Sequence, residues 1–111
     1  RKEFLPRQAA LEGIPEQLRG FQRALFDRAL ELRRSRTRAI DQAEELDAFF
    51  SQEGGGFALC HWCGDGACEE ALSAQHKTTI RNLPLAGTVE DGLCIRCRRA
   101  SRRRVVVALA Y

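Results

Sequence analysis

Two stretches decide how this chain is read: Cys63-Gly64-Asp65-Gly66-Ala67-Cys68 and Cys94-Ile95-Arg96-Cys97. Each places two cysteines across a tight turn, and such pairs, once folded together, suit a tetrahedral four-cysteine zinc site. Zinc held by four thiolates has no open position, so the spacing points to a structural metal rather than a catalytic one. The count, however, is five cysteines. Cys60-His61-Trp62-Cys63 is also a C-x2-C pair, which leaves two registers. One uses Cys60, Cys63, Cys94 and Cys97; the other uses Cys63, Cys68, Cys94 and Cys97. Local physics favours the second. Gly64 and Gly66 let the backbone turn tightly around an ion. Cys68 directly precedes Glu69-Glu70-Ala71-Leu72, which reads as a helix start, and a helix N-terminus favours a thiolate. Cys60 follows the apolar run Phe57-Ala58-Leu59 and suits a small buried core residue. His61 is the remaining candidate ligand.

The odd cysteine count and the absence of a recognisable signal peptide argue against a disulfide framework and for a reduced, metal-bound, cytoplasmic protein. The 111 residues suffice for one domain, or for a small domain with a connecting arm. Apolar residues make up 44%, enough for a real core. No apolar stretch approaches membrane-spanning length. The sequence begins at Arg1 rather than Met, so it is expected to be part of something larger. The net charge is only +3, but its distribution is uneven. No acid follows Asp91, while Arg96, Arg98, Arg99, Arg102, Arg103 and Arg104 cluster there. Such a cluster could contact phosphate; it could equally be a solvated turn.

Phe4 and Leu5 suggest an edge strand, with Pro6 at its end. Ile14, Leu18, Phe21, Leu25, Ala29 and Leu32 then recur at three- and four-residue steps, a helical pattern. Pro15 suits the helix start. Arg28, Arg33, Arg34, Arg36 and Arg38 are followed by Asp41, Glu44, Glu45 and Asp47. Basic residues suit the end of one helix and acidic residues the start of the next. The expectation is therefore a helix over 15–35, an extended link over 36–40 and a helix over 42–52. Asp41-x-x-Glu44 serves as a capping box, and Gly54-Gly55-Gly56 ends the second helix. A short buried strand over 57–60, a helix over 68–76 and a β-prone stretch over 78–83 follow. Residues 86–92 read as a polar loop, and Arg104-Val105-Val106-Val107-Ala108-Leu109 as an interior strand. The predicted class is α+β. It is a small two-layer α/β sandwich with a mixed sheet and a four-cysteine zinc site, preceded by a helical arm.

A family resemblance rests on several pieces together. These are Gly56-Phe57-Ala58-Leu59, Trp62-Cys63-Gly64-Asp65, Ala67-Cys68-Glu69, Thr79-Ile80-Arg81, Leu83-Pro84, Cys94-Ile95-x-Cys97 and the ending Ala108-x-Ala110-Tyr111. Together they resemble the C-terminal zinc-binding domain of prolyl-tRNA synthetase, of the archaeal/eukaryotic type that some bacteria also carry. The helix with Leu18, Phe21, Gln22, Leu25, Phe26 and Ala29 looks like the segment leaving that enzyme's anticodon-binding domain, and Lys2 to Arg7 like that domain's last strand. The resemblance implies a boundary at residue 35, with 1–35 closing the anticodon-binding domain and 36–111 forming the zinc domain. It carries the zinc ligands over to Cys63, Cys68, Cys94 and Cys97. Three positions depart from the family. Asn82 stands where a cysteine is frequent, and Leu109 where a lysine is common. Arg98 stands where glycine is usual, and a turn needing positive φ would strain an arginine there.

The resemblance further implies that the whole enzyme joins proline to tRNA(Pro), using ATP and Mg2+ in a catalytic domain outside this segment, as a homodimer. The segment itself presents no adenylate site, no glycine-rich phosphate loop followed by a basic residue and no acid/base constellation. Its expected role is to stabilise and place neighbouring domains. Zinc makes that feasible, since metal binding contributes folding free energy of about 10 kcal/mol or more in small zinc peptides. Two other readings compete: a freestanding zinc module that contacts RNA through its arginines, and a redox pair at Cys60 and Cys63. Tyr111 is expected to be ordered, either capping the sheet edge or reaching toward the catalytic domain.

Overall fold

A computed structural model describes residues 2–110 of the chain, in two compact units, Arg1–Ser35 and Arg36–Tyr111. The expectations for Tyr111 fall outside the described residues.

The first unit is dominated by one helix, α1 (Arg7–Ser35). It starts well before Pro15, which lies inside it. Residues 2–6 form no strand. The Pro6 carbonyl accepts from the Ala10 N–H at 3.0 Å, so the chain turns into helix at once. Gln8, Ala9, Ala10 and Leu11 are good helix formers, and they carry the helix through a proline that cannot donate to the preceding turn. The polar side is laced by Gln8–Glu12, Arg19–Glu16 and Arg23–Asp27 contacts, each worth about 0.2–0.5 kcal/mol. The stripe of Ile14, Leu18, Phe21, Leu25 and Leu32 is exposed.

The second unit contains β1 (Thr37–Ala39), α2 (Ala43–Ser51), β2 (Phe57–His61), α3 (Gly66–His76), β3 (Thr78–Asn82), β4 (Gly92–Leu93), β5 (Ala100–Ser101) and β6 (Arg104–Leu109). Four strands form a mixed sheet in the order β1-β2-β6-β3. β1 runs parallel to β2, with α2 as the crossover between them, as a parallel pair requires. β6 is antiparallel to both of its neighbours. Its β-branched run fits this interior place, where both backbone edges are paired. β4 and β5 make a separate antiparallel pair.

Side-chain alternation sets the core. Ala58 lies opposite Val107 and Cys60 opposite Val105, so these four share one face of the sheet. Leu46 and Phe50 of α2, Leu72 of α3, and Ile40 and Ile95 complete that cluster. Phe49 and Phe50 meet edge to face at 5.1 Å, a geometry aromatic pairs favour. Two sequence expectations change here. The capping box is not formed: α2 is preceded by Gln42, with no side-chain cap bond. Asp41 instead accepts from Arg104 at 2.8 Å, a charge-assisted pair that turns its carboxylate away from the helix start. The link over 36–40 is also more than a connector, because β1 occupies most of it.

Candidate metal centre

Two turns at one end of the sheet bring four cysteines together. The first leaves β2 and enters α3. Gly64 has φ +86°, a conformation in which a side chain is strained. Asp65 caps α3 by accepting from the Ala67 N–H at 3.0 Å, which sets Cys68 in the first helical turn. Trp62 braces the turn by donating its indole N–H to the Asp65 carbonyl at 3.0 Å. The second turn lies between β4 and β5. The Arg98 N–H donates to the Cys94 carbonyl at 3.0 Å and the Cys94 N–H to the Arg99 carbonyl at 2.8 Å. Arg98 has φ +63°, a left-handed conformation that glycine would adopt without strain. Its guanidinium reaches the Asp41 carbonyl at 3.0 Å, a bond that glycine would forfeit.

The sulfur atoms of Cys63, Cys68, Cys94 and Cys97 all lie within 4.8 Å of one another. Cys63 is 3.7 Å from Cys68 and 3.5 Å from Cys97. A tetrahedron with Zn–S bonds of about 2.3 Å has edges of about 3.8 Å. The donor set and its spacing therefore fit a metal ion. Cys60 and His61 stand apart from this cluster. Cys60 is fully buried in the core, and burial pushes its thiol up to about 12, which makes it a poor redox nucleophile. His61 is buried, with Nδ1 3.3 Å from the Ser101 hydroxyl. Ser101 in turn donates to the Trp62 carbonyl at 2.8 Å.

The four thiols are electrostatically unequal. Cys68 and Cys94 are buried, Cys63 half-buried and Cys97 exposed. Burial, reinforced by hydrogen bonds with Cys97 and Cys63, pushes Cys68 up to about 12. A hydrogen bond from the Arg99 side chain, followed by one from its backbone, brings Cys97 down to about 6. A bound metal would hold all four sulfurs as thiolates, and Cys97 is the one that already has a guanidinium beside it.

The arginine cluster is largely committed within the fold. Arg96 donates to Gln75, Arg99 pairs with Asp65, and Arg102 pairs with Asp91. Arg104, half-buried, holds Glu90 at 2.9 Å, Asp41 at 2.8 Å and the Leu59 carbonyl at 3.0 Å. Arg104, Asp41 and Glu90 also line a cavity of about 210 Å³ together with His61. Sequence reading had the charges but not their partners. Asp65 and Arg99 were missed as companions of the cysteines, although both lie within two residues of a ligand candidate.

Comparisons with known proteins agree with this fold. Residues 43–111 match the family described as prolyl-tRNA synthetase, C-terminal. A proline–tRNA ligase from Porphyromonas gingivalis is 36% identical over 100% of this chain and 23% of that protein. One from Chloroflexus aurantiacus is 36% identical over 99% of this chain and 22% of that protein. The chain thus spans about a quarter of the length of these curated relatives. Among solved structures, a prolyl-tRNA synthetase from Cryptosporidium parvum complexed with L-proline and AMP aligns with a TM-score of 0.78. At 17% identity, over 100% of this chain and 24% of that one, it shows a shared fold.

Proposed function

This chain belongs to the prolyl-tRNA synthetase C-terminal family, and from that premise we propose that it is the terminal structural part of a proline–tRNA ligase. The observation that carries the reading is the match along the whole chain to proline–tRNA ligases, of which it forms only about a quarter. Residues 36–111 form the zinc domain, and residues 1–35 close the anticodon-binding domain. Cys63, Cys68, Cys94 and Cys97 hold one structural zinc ion. When bound, the ion cross-links two turns that the sheet alone leaves at its end.

The segment takes no chemical step. The whole enzyme attaches proline to tRNA(Pro) in the cytoplasm, as a homodimer, with ATP and Mg2+ bound outside this segment. The four sulfurs support the structural role because a complete thiolate set leaves no coordination site for substrate or water. Metal analysis of the purified chain tests the reading: about one zinc per chain, with Zn–S distances of about 2.3 Å by X-ray absorption. A chain that folds fully without metal would remove the structural role. Starting the chain at Arg36 tests the domain division, and a folded, zinc-loaded product is expected. In the full-length enzyme, removing the zinc ligands should lower thermal stability and aminoacylation together.

A further inference from the structure

We propose that Arg99 is a positioning residue for the metal centre, clamped by Asp65 so that it holds the Cys97 thiolate and joins the two cysteine turns. The inference rests on the zinc reading above and extends it to residues outside the ligand set. One edge of the Arg99 guanidinium serves both partners. Nε donates to Cys97 Sγ at 3.3 Å, and Nη2 donates to the Asp65 carboxylate. Asp65 belongs to the first turn and Cys97 to the second, so one side chain spans the two halves of the site. Asp65 also caps α3 through its other oxygen, which fixes where the carboxylate points.

Charge explains why such a clamp belongs here. Four thiolates around a divalent ion leave two excess negative charges. Cys97 is the most exposed of the four sulfurs and the one with a guanidinium bond among the described residues. Arg99 offsets part of the excess and orients the lone pairs of Cys97. A charge-assisted bond to a ligand atom raises metal retention in the same way as other groups that orient metal ligands. Lysine cannot replace it, because a single ammonium lacks the two-nitrogen edge.

The test uses the zinc-loaded full chain with Arg99→Gln, Arg99→Lys, Asp65→Asn and the Arg99→Gln/Asp65→Asn double variant. Asparagine at 65 keeps a cap for α3 and removes only the charge toward Arg99. Competition with a chromophoric chelator reads zinc affinity, and cobalt substitution reads the thiolate-to-metal charge-transfer band. Arg99→Gln should weaken zinc about tenfold and shift the cobalt band to lower energy with the fold intact by circular dichroism. Asp65→Asn should weaken zinc less, and the double variant should be no weaker than Arg99→Gln alone. Zinc affinity within twofold of wild type in Arg99→Gln, an unmoved cobalt band, or losses that multiply in the double variant would each overturn the clamp. If Arg99→Gln does not fold, Arg99→Lys decides, and wild-type affinity there overturns it. A wild-type chain that fails to bind zinc would sink the metal reading itself, an outcome distinct from a zinc-binding chain indifferent to Arg99.

Discussion

The turn through Cys63 and Cys68 runs from a strand into a helix, whereas the turn through Cys94 and Cys97 is closed by the two-residue strands β4 and β5. The first has a glycine at its left-handed position, Gly64, and a helix cap, Asp65. The second has an arginine at its left-handed position, Arg98, and is held from outside by Arg98 on the Asp41 carbonyl and by the Arg104–Glu90 pair near its base. One turn is favoured by its local sequence. The other accepts local strain and recovers it through long-range bonds. Left-handed conformation costs a non-glycine residue about 1–2 kcal/mol, comparable to one hydrogen bond to a charged group.

The largest expected effect removes the point where the turns meet. Cys68→Ser should abolish zinc binding and lower the melting temperature of the chain steeply. Cys60→Ser should retain zinc, with only the moderate loss of a core substitution. Calorimetry with metal analysis reads both, and zinc retained by Cys68→Ser but lost by Cys60→Ser would break the comparison at its root.

Next in size is an exchange between the two left-handed positions. Gly64→Ala should destabilise the zinc-loaded chain by about 1–2 kcal/mol, since alanine gains no contact there and adopts positive φ at a cost. Arg98→Gly should fall within about 1 kcal/mol of wild type, because relief of strain offsets the lost bond to Asp41. Denaturant titration measures both. Equal losses at the two positions would show that the turns are supported alike.

The smallest effect concerns acid. The Arg104 guanidinium holds the Glu90 carboxyl below the usual carboxylate range. Its folded pKa is therefore lower than its unfolded one. The stabilisation it brings is present above the unfolded value and is lost as pH falls through the lowered folded value. Glu90→Gln should lower stability at neutral pH and flatten its decline between neutral and acidic pH. Parallel curves for Glu90→Gln and wild type would remove Glu90 from the support of the second turn.

Legibility in the sequence followed the same divide. Features set by neighbours were readable: the β-branched run of β6 and the grouping of Cys63, Cys68, Cys94 and Cys97 in two tight turns. Features set by distant partners were not. Asp41 resembles a helix cap when read beside Glu44, and only folding brings Arg104 to it. β4 and β5 are each two residues long, too short for any periodicity to appear. The arginines after Cys94 looked like one basic patch, yet most have separate acidic or carbonyl partners. The strand expected near Phe4 is not formed: an edge strand needs a neighbour, no strand among the described residues pairs with residues 2–6, and helix begins at Arg7.

The place of β6 bears on how the unit is made. It is the last strand in chain order, yet it lies between β2 and β3 and pairs with both. During synthesis β2 and β3 emerge before the strand that joins them. Until Arg104–Leu109 leaves the ribosome the sheet has no centre, and the faces of β2 and β3 wait uncovered. Assembly of this sheet is therefore dominated by late, non-local pairing, and the cysteine turns that precede β6 are exposed to metal or oxidant before their sheet exists.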